Sequence, residues 1–307
     1  MKTESVLEKI LAAGHLAVTS ECGPPRGALP EKVKEKAEML RGYVDAINVT
    51  DNQTAVVRMS SLSACILIKQ LGLDPILQMV TRDRNRLAMQ SDILGAYAHG
   101  INNMLCLSGD HPCFGDHPMA ANVYDLDSMQ LIQVVRKMRD EGRFQGGDEI
   151  ENPPKMFIGA AANPFADPFE LRAIRLAKKV KAGVDFIQTQ CIYNIDKFGK
   201  WMKEICERGL NEKVSILAGI TPLKSAGMAN YMRNKVPGMD VPEELVKRMA
   251  GVPKKDQADE GIKICLETIE QLKTMEGIRG FHIMAIEWEQ KVPEIVERAG
   301  LLPRPQV

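Results

Sequence analysis

Aromatic side chains make up only 5% of the 307 residues, and forty basic residues are balanced by forty acidic ones. The first leaves too few rings to stack successive unpaired bases, and the second leaves no whole-protein field to gather nucleic acid or press the chain onto an anionic membrane. No apolar run approaches the roughly 20 residues of a membrane span, so neither nucleic-acid binding nor membrane insertion is expected. Cysteine is sparse and scattered, at Cys22, Cys65, Cys106, Cys113, Cys191, Cys206 and Cys265, with no CxxC pair. That is the usage of a reducing compartment. The stretch from Met1 to Gly14 carries Lys2, Glu4, Glu8 and Lys9. It lacks the apolar centre of a signal peptide and reads as a short amphipathic helix, so a cytoplasmic protein is expected.

What is present is apolar surface, 45% of residues, enough for a large core. Short β-rich apolar runs alternate with longer helical patterns along nearly the whole chain. The candidate strands are Leu16 to Glu21, Val44 to Thr50, Pro75 to Thr81, Asn103 to Ser108, Lys155 to Ala161, Val184 to Gln190, Val214 to Ile220 and Gly280 to Ile286. Most are continuously apolar, as in parallel strands buried on both faces. Amphipathic segments are clearest at Val56 to Leu71, Arg82 to His99, Asp127 to Glu141, Asp167 to Ala182 and Ile195 to Arg208. Gly100, Gly183 and Gly209 follow helical runs where a helix end favours positive φ. Eight such rounds without a linker predict an α/β fold, a (β/α)8 TIM barrel occupying residues 1–307 as one domain, with an extra N-terminal helix. Two longer connections, His111 to Leu126 after the fourth strand and Lys224 to Lys255 after the seventh, read as ordered loops with one or two helices.

In such a barrel the chemistry collects at the C-terminal strand ends. These offer Glu21, then Thr50 with Asp51 and Asn52, then Gln78 and Thr81, Asp110, Asn163 and Gln190. A lining rich in amides and hydroxyls suits a neutral heteroaromatic ligand bonded along its ring edges. Glu21, with no cation nearer in sequence than Arg26, reads equally as a proton donor or as a strand-end glutamate paired across the barrel. Asp110 follows Gly109, which admits close approach of the backbone to a ligand; it reads equally as a group facing the mouth or as a turn initiator before proline. The spacing of Asp110, His111, Asp116 and His117 matches no standard metal motif, and no metal is expected. Cys106 and Cys113 read as a buried small residue and a loop thiol. Arg175 and Lys179, four apart on one helix face, can hold a phosphate, although such a run is more often a solvated face. No GxGxxG or Walker loop is present.

The ordered set of strand ends resembles the methylenetetrahydrofolate reductase family of flavin-dependent barrels. The resemblance spans most of the chain and rests on Glu21 before Pro24-Pro25-Arg26, Val49-Thr50, Gly109-Asp110, Lys179-Val180 with Ala182-Gly183, Thr189-Gln190, Gly219-Ile220 with Pro222, and Phe281-His282. No single piece is specific; their order and spacing together are. The resemblance implies reduction of methylenetetrahydrofolate to methyltetrahydrofolate by hydride from a reduced flavin, FMN or FAD. It implies Glu21 as general acid and Asp110 as a carboxylate that stabilises the cationic iminium intermediate, with Gln190 on the pterin. The cofactor set it implies is Thr50, Gln78, Ser108, Gly109, Asp110, Asn163, Arg175 and Lys179, with Lys179 on the flavin phosphate. The pattern also departs from the NAD(P)H-using members. Ala226 stands where those carry a stacking phenylalanine, Glu287-Trp288 replaces an Asn-Arg pair, and Ala161-Ala162-Asn163-Pro164-Phe165 replaces a histidine-containing segment. It is more similar to the acetogen type, which implies a separate iron-sulfur- and zinc-binding partner subunit as electron source; a homo-oligomer is compatible with the sequence. Two other readings stand beside it: a pterin-binding barrel methyltransferase that passes a methyl group from methyltetrahydrofolate to a corrinoid protein, and a non-catalytic barrel subunit of an electron-transfer complex.

Overall fold

A computed structural model describes residues 1–307. Eight parallel strands close into a barrel in chain order, β1 pairing with both β2 and β8. The strands are β1 Ala17–Cys22, β2 Ala46–Val49, β3 Pro75–Val80, β4 Asn103–Leu107, β5 Phe157–Ala162, β6 Phe186–Cys191, β7 Ser215–Ile220 and β8 Ile278–Ile283. The helices are α1 Val6–Ala12, α2 Pro30–Leu40, α3 Ser61–Gln70, α4 Arg86–Ala98, α5 Ser128–Asp140, α6 Leu171–Ala182, α7 Ile195–Glu207, α8 Ala226–Lys235, α9 Glu243–Ala250, α10 Gln257–Lys273 and α11 Val292–Arg298. The expected (β/α)8 architecture is therefore present. None of these helices is long and apolar enough to cross a membrane.

The strand-to-helix punctuation is chemical. Asp127 caps α5 in a full capping box with Gln130, Ser60 caps α3 and Asn85 caps α4, each accepting orphan backbone N–H groups. The helix expected from Val56 starts instead at Ser61, because Asn52, Thr54 and Ala55 take left-handed backbone and carry the chain across the mouth first. β8 starts two residues and ends three residues earlier than expected: its pairing with β7 shifts register between Ile216 and Leu217, and the chain leaves the sheet after Ile283. Of the two long connections, the one after β4 forms only a short 3-10 turn at Pro112–Phe114. The one after β7 supplies α8 and α9.

The barrel interior is graded. Its lower end is apolar: Ala17, Ala46, Ile76, Leu105, Phe157, Phe186 and Leu217 pack together with Leu7, Ile10 and Leu11 of α1, which closes the bottom. Phe157 and Phe186 stack at 5.2 Å, and Gly159 makes this possible, since a Cβ there would lie 2.2 Å from the Phe186 ring. Polar groups fasten the plug. Asp74 accepts from the Val6 and Leu7 N–H groups and from Asn103, Arg279 donates to the Leu11 carbonyl, and Lys2 pairs with Asp185. Burial nevertheless pushes the Asp74 carboxyl above its ordinary range. Leu7 is fully buried in this plug, so Leu7→Ala should lower unfolding free energy by about 3 kcal/mol in urea titration; an unchanged midpoint would mean that α1 does not seal the barrel.

Candidate active site

Above the apolar layer the interior turns polar. Thr19, Asn48, Gln78, Gln188 and His282 project from five strands, none more than 7% exposed. Thr19 and His282 are register partners on β1 and β8, and Thr19 Oγ1 lies 2.9 Å from His282 Nδ1. Gln188 Nε2 donates to Thr19 Oγ1 at 3.5 Å, the long end of the range. The Thr19–His282 contact is compatible with either tautomer of the ring; with the proton on Nε2, Nδ1 accepts from the Thr19 hydroxyl. That Nε2 faces Glu21 Oε1 at 3.5 Å. An amide, a hydroxyl and an imidazole thus run up the barrel wall and end on the Glu21 carboxyl, whose side chain keeps a quarter of its surface exposed.

The surroundings of Glu21, neutral in sequence, are not neutral in space. Glu21 lines a small recess with Gly23, Lys36, Gln53, Arg58 and Glu289. Lys36 Nζ donates to Glu289 Oε1 at 2.6 Å and reaches the Gly23 carbonyl at 3.4 Å, tying α2 to the short 3-10 helix Glu289–Lys291 directly behind the acid. Burial holds the thiols of Cys22 and Cys191 up at about 12, which removes both as nucleophiles.

Five of the expected ligand-binding residues meet in a second cavity, of about 270 Å³, between β4, β5 and α6. Ser108, Asn163, Arg175, Lys179 and Gln190 line it together with Arg172 and Ser128. Three cations converge here, which a solvated helix face would not require. Lys179 donates to the Ala161 carbonyl, and burial, with Arg175 nearby, pulls its pKa down to about 8. Asn163 spends its amide on the protein, donating to the Gly238 carbonyl and accepting from Phe165 N–H. Thr50 and Gln78 lie lower. The Thr50 hydroxyl and the Asn48 amide nitrogen are buried without partners, as is the Gln188 carbonyl oxygen, while Gln78 Nε2 reaches Asn48 Oδ1 at 3.5 Å.

Asp110 lines neither space. Its carboxylate accepts from Thr54 N–H at 3.1 Å, bracing the left-handed turn of the β2–α3 loop, and its carbonyl accepts from Arg82. Gly109 is left-handed, φ +85°, with Val80 only 3.0 Å from where a Cβ would sit. His111 and His117 serve their own loop: His111 accepts from Cys113 N–H, and His117 Nδ1 lies 2.9 Å from Asp116.

A family model described as methylenetetrahydrofolate reductase matches residues 6–300. The chain belongs to the methylenetetrahydrofolate reductase family. It is 27% identical over 223 residues to methylenetetrahydrofolate reductase 2 of Schizosaccharomyces pombe, covering 68% of this chain and 33% of that protein. It is 31% identical over 213 residues to methylenetetrahydrofolate reductase 1 of the same yeast, covering 67% of this chain and 32% of that one. The chain thus spans about a third of the length of these curated relatives. Among solved structures, a Clostridium thermocellum protein described as binding two copies of 5-methyl-5,6,7,8-tetrahydrofolic acid superposes with TM-score 0.65 at 14% identity, over 97% of this chain and 99% of that one. This likeness concerns the fold.

Sequence reasoning missed the supports. Thr19 and Gln188 were read as parts of buried strands, although each stands two residues before a chosen one, Glu21 and Gln190, and so shares its face. Lys36, Arg58 and Glu289 gave no local signal. The depressed Lys179 pKa carries a test. The cationic form is lost as pH rises through about 8, so the affinity of the free protein for inorganic phosphate should fall between neutral pH and about pH 9 and fall less in Lys179→Arg. A pH-independent affinity would remove Lys179 from the anion site.

Proposed function

We propose that the chain reduces methylenetetrahydrofolate to methyltetrahydrofolate, with a flavin as the hydride source and electrons delivered by a separate protein. Membership of the family supports the reaction class. The observation that carries the reading for these residues is the Glu21 carboxyl at the end of β1, with the His282–Thr19–Gln188 chain behind it.

The donor set suits a flavin. The partnerless Thr50 hydroxyl, Asn48 amide and Gln188 carbonyl are buried groups that the polar edge of an isoalloxazine would satisfy, and Arg172, Arg175 and Lys179 form a cationic pocket of the kind a phosphate needs. Thr50, Gln78, Ser108 and Gly109 would hold the ring, and Arg175 and Lys179 the phosphate. When bound, the flavin supplies a hydride to the methylene carbon of the substrate.

The remaining steps belong to the protein. Glu21 gives its proton to the nitrogen that leaves when the five-membered ring of the substrate opens. His282, held by Thr19, keeps that carboxyl at the strand end and would do so as the tautomer protonated on Nε2. Asp110 contributes negative charge near the cationic carbon so formed, and Gln190 holds the pterin edge. Environment thus divides two carboxyls between two tasks. The apolar layer below excludes water from beneath the reacting atoms.

Glu21→Gln should leave flavin bound and reducible by dithionite while folate reduction falls by about 10²–10⁴-fold; near-normal turnover in that variant would refute the assignment. Ala226 opens α8 with its N–H on Gln257 and offers no aromatic face, so NADH alone should bleach the yellow chain slowly or not at all. Rapid stoichiometric bleaching in a stopped-flow trace would contradict this.

A further inference from the structure

Arg82, two residues past the end of β3, has only 3% of its side chain exposed, and no step of the proposed reaction involves it. Burying a cation is costly unless its charge is paired and its hydrogens are spent. Arg82 meets both conditions. Nε and Nη2 engage the two Asp83 carboxylate oxygens at 2.6 and 2.7 Å, which compensates the charge. Nη1 donates to the Asp110 carbonyl at 2.9 Å, and Nη2 also reaches the Asn52 carbonyl at 3.3 Å. One planar fork thus joins the loop after β2 to the loop after β4. The backbone of the same residue repeats the connection. Its N–H donates to the Ser108 carbonyl and its own carbonyl accepts from Val123 N–H, so both ends of the long β4 connection are fastened to Arg82.

The loop after β2 would not keep its shape unaided. Asn52, Thr54 and Ala55 have φ of 43°, 56° and 57°, left-handed backbone that such residues keep only where their surroundings impose it. The Asn52 carbonyl is on Arg82, the Asn52 amide reaches Asp83 at 3.3 Å, and the Thr54 N–H is on the Asp110 carboxylate at 3.1 Å. Asp110 is therefore fixed at two points, by its carbonyl on Arg82 and by its carboxylate on a loop that Arg82 also holds. Because Asp83 neutralises the guanidinium, no free cation stands beside a carboxylate whose negative charge the reaction needs.

We propose that Arg82, paired with Asp83, is the positioning residue for Asp110: it locks the loops after β2 and β4 into one unit and so sets where the Asp110 carboxylate stands at the mouth. The inference rests on the function proposed above, in which the Asp110 charge acts on the cationic carbon that forms as the substrate ring opens. Loss of that placement therefore lowers kcat and spares ground-state binding.

Arg82→Lys keeps a positive charge but not the fork. It is compared with the wild type, Asp110→Asn and the double variant in the reduction of methylenetetrahydrofolate by the flavin-loaded chain, driven by the methyl viologen radical. In Arg82→Lys kcat should fall about 10- to 100-fold, with KM within about threefold of the wild type. The double variant should be no slower than Asp110→Asn alone. Losses that multiply in the double variant, a wild-type kcat in Arg82→Lys, or a change confined to KM would overturn the proposal. Asp83→Asn, at a side chain 32% exposed, loosens the same fork; it takes the place of Arg82→Lys if that variant does not fold, with the same outcomes. Hydrogen exchange followed by NMR reads the clamp without turnover. The Thr54 amide should exchange about tenfold faster in Arg82→Lys than in the wild type, with the amides of α1 unchanged. Equal Thr54 exchange would remove the clamp. Failure of the wild type to reduce the substrate would refute the proposed function instead, and Thr54 exchange then decides the clamp alone.

Discussion

Everything at the mouth depends on the seal at the other end of the barrel. Seven side chains, among them the stacked Phe157 and Phe186, close on Leu7, Ile10 and Leu11 of α1 in one apolar cluster. Burial on this scale supplies the favourable free energy against which a polar interior has to be set. The layer above therefore carries an imidazole, two hydroxyls and three amides, several with unpartnered atoms, without opening the sheet. A barrel with an apolar centre throughout would be more stable and would have nothing to offer a heteroaromatic ring.

The electrostatics of the acid come from distant parts of the chain. Glu21 stands on β1, its histidine on β8, and the Lys36–Glu289 pair joins α2 to the turn before α11. Lys36 and Glu289 compensate each other, and each is needed because Glu289 is nearly buried and an isolated carboxylate there would be costly. The cation cluster at Arg172, Arg175 and Lys179 follows a simpler rule. All three lie on α6, where spacings of three and four put them on one face.

That contrast explains what could be read from sequence. Strand and helix order, closure into a barrel and the basic face of α6 depend on local periodicity and on Gly, Asp and Ser punctuation, and the structure reproduces them. Ser108, Arg175, Lys179 and Gln190 can be named from the sequence because strand ends and helix faces are local features, and they share a cavity. The neutral setting inferred for Glu21 was wrong because its neighbours are supplied by tertiary closure. Asp110 was legible as a turn residue and as a site residue at once; its bond to Thr54 belongs to the first, while its part in catalysis is a proposal. Thr19 and Gln188 were hidden inside apolar runs, since a strand buried on both faces conceals its inward alternation.

The chain of groups beneath Glu21 ends in an amide. Gln188 cannot shuttle a proton, and below it lies the apolar cluster that α1 closes. In the proposed reaction the proton that Glu21 gives up is therefore returned from its exposed side and not along this chain. An occupant that covered that side would also block resupply, and the recharging of the acid would then wait on the departure of product.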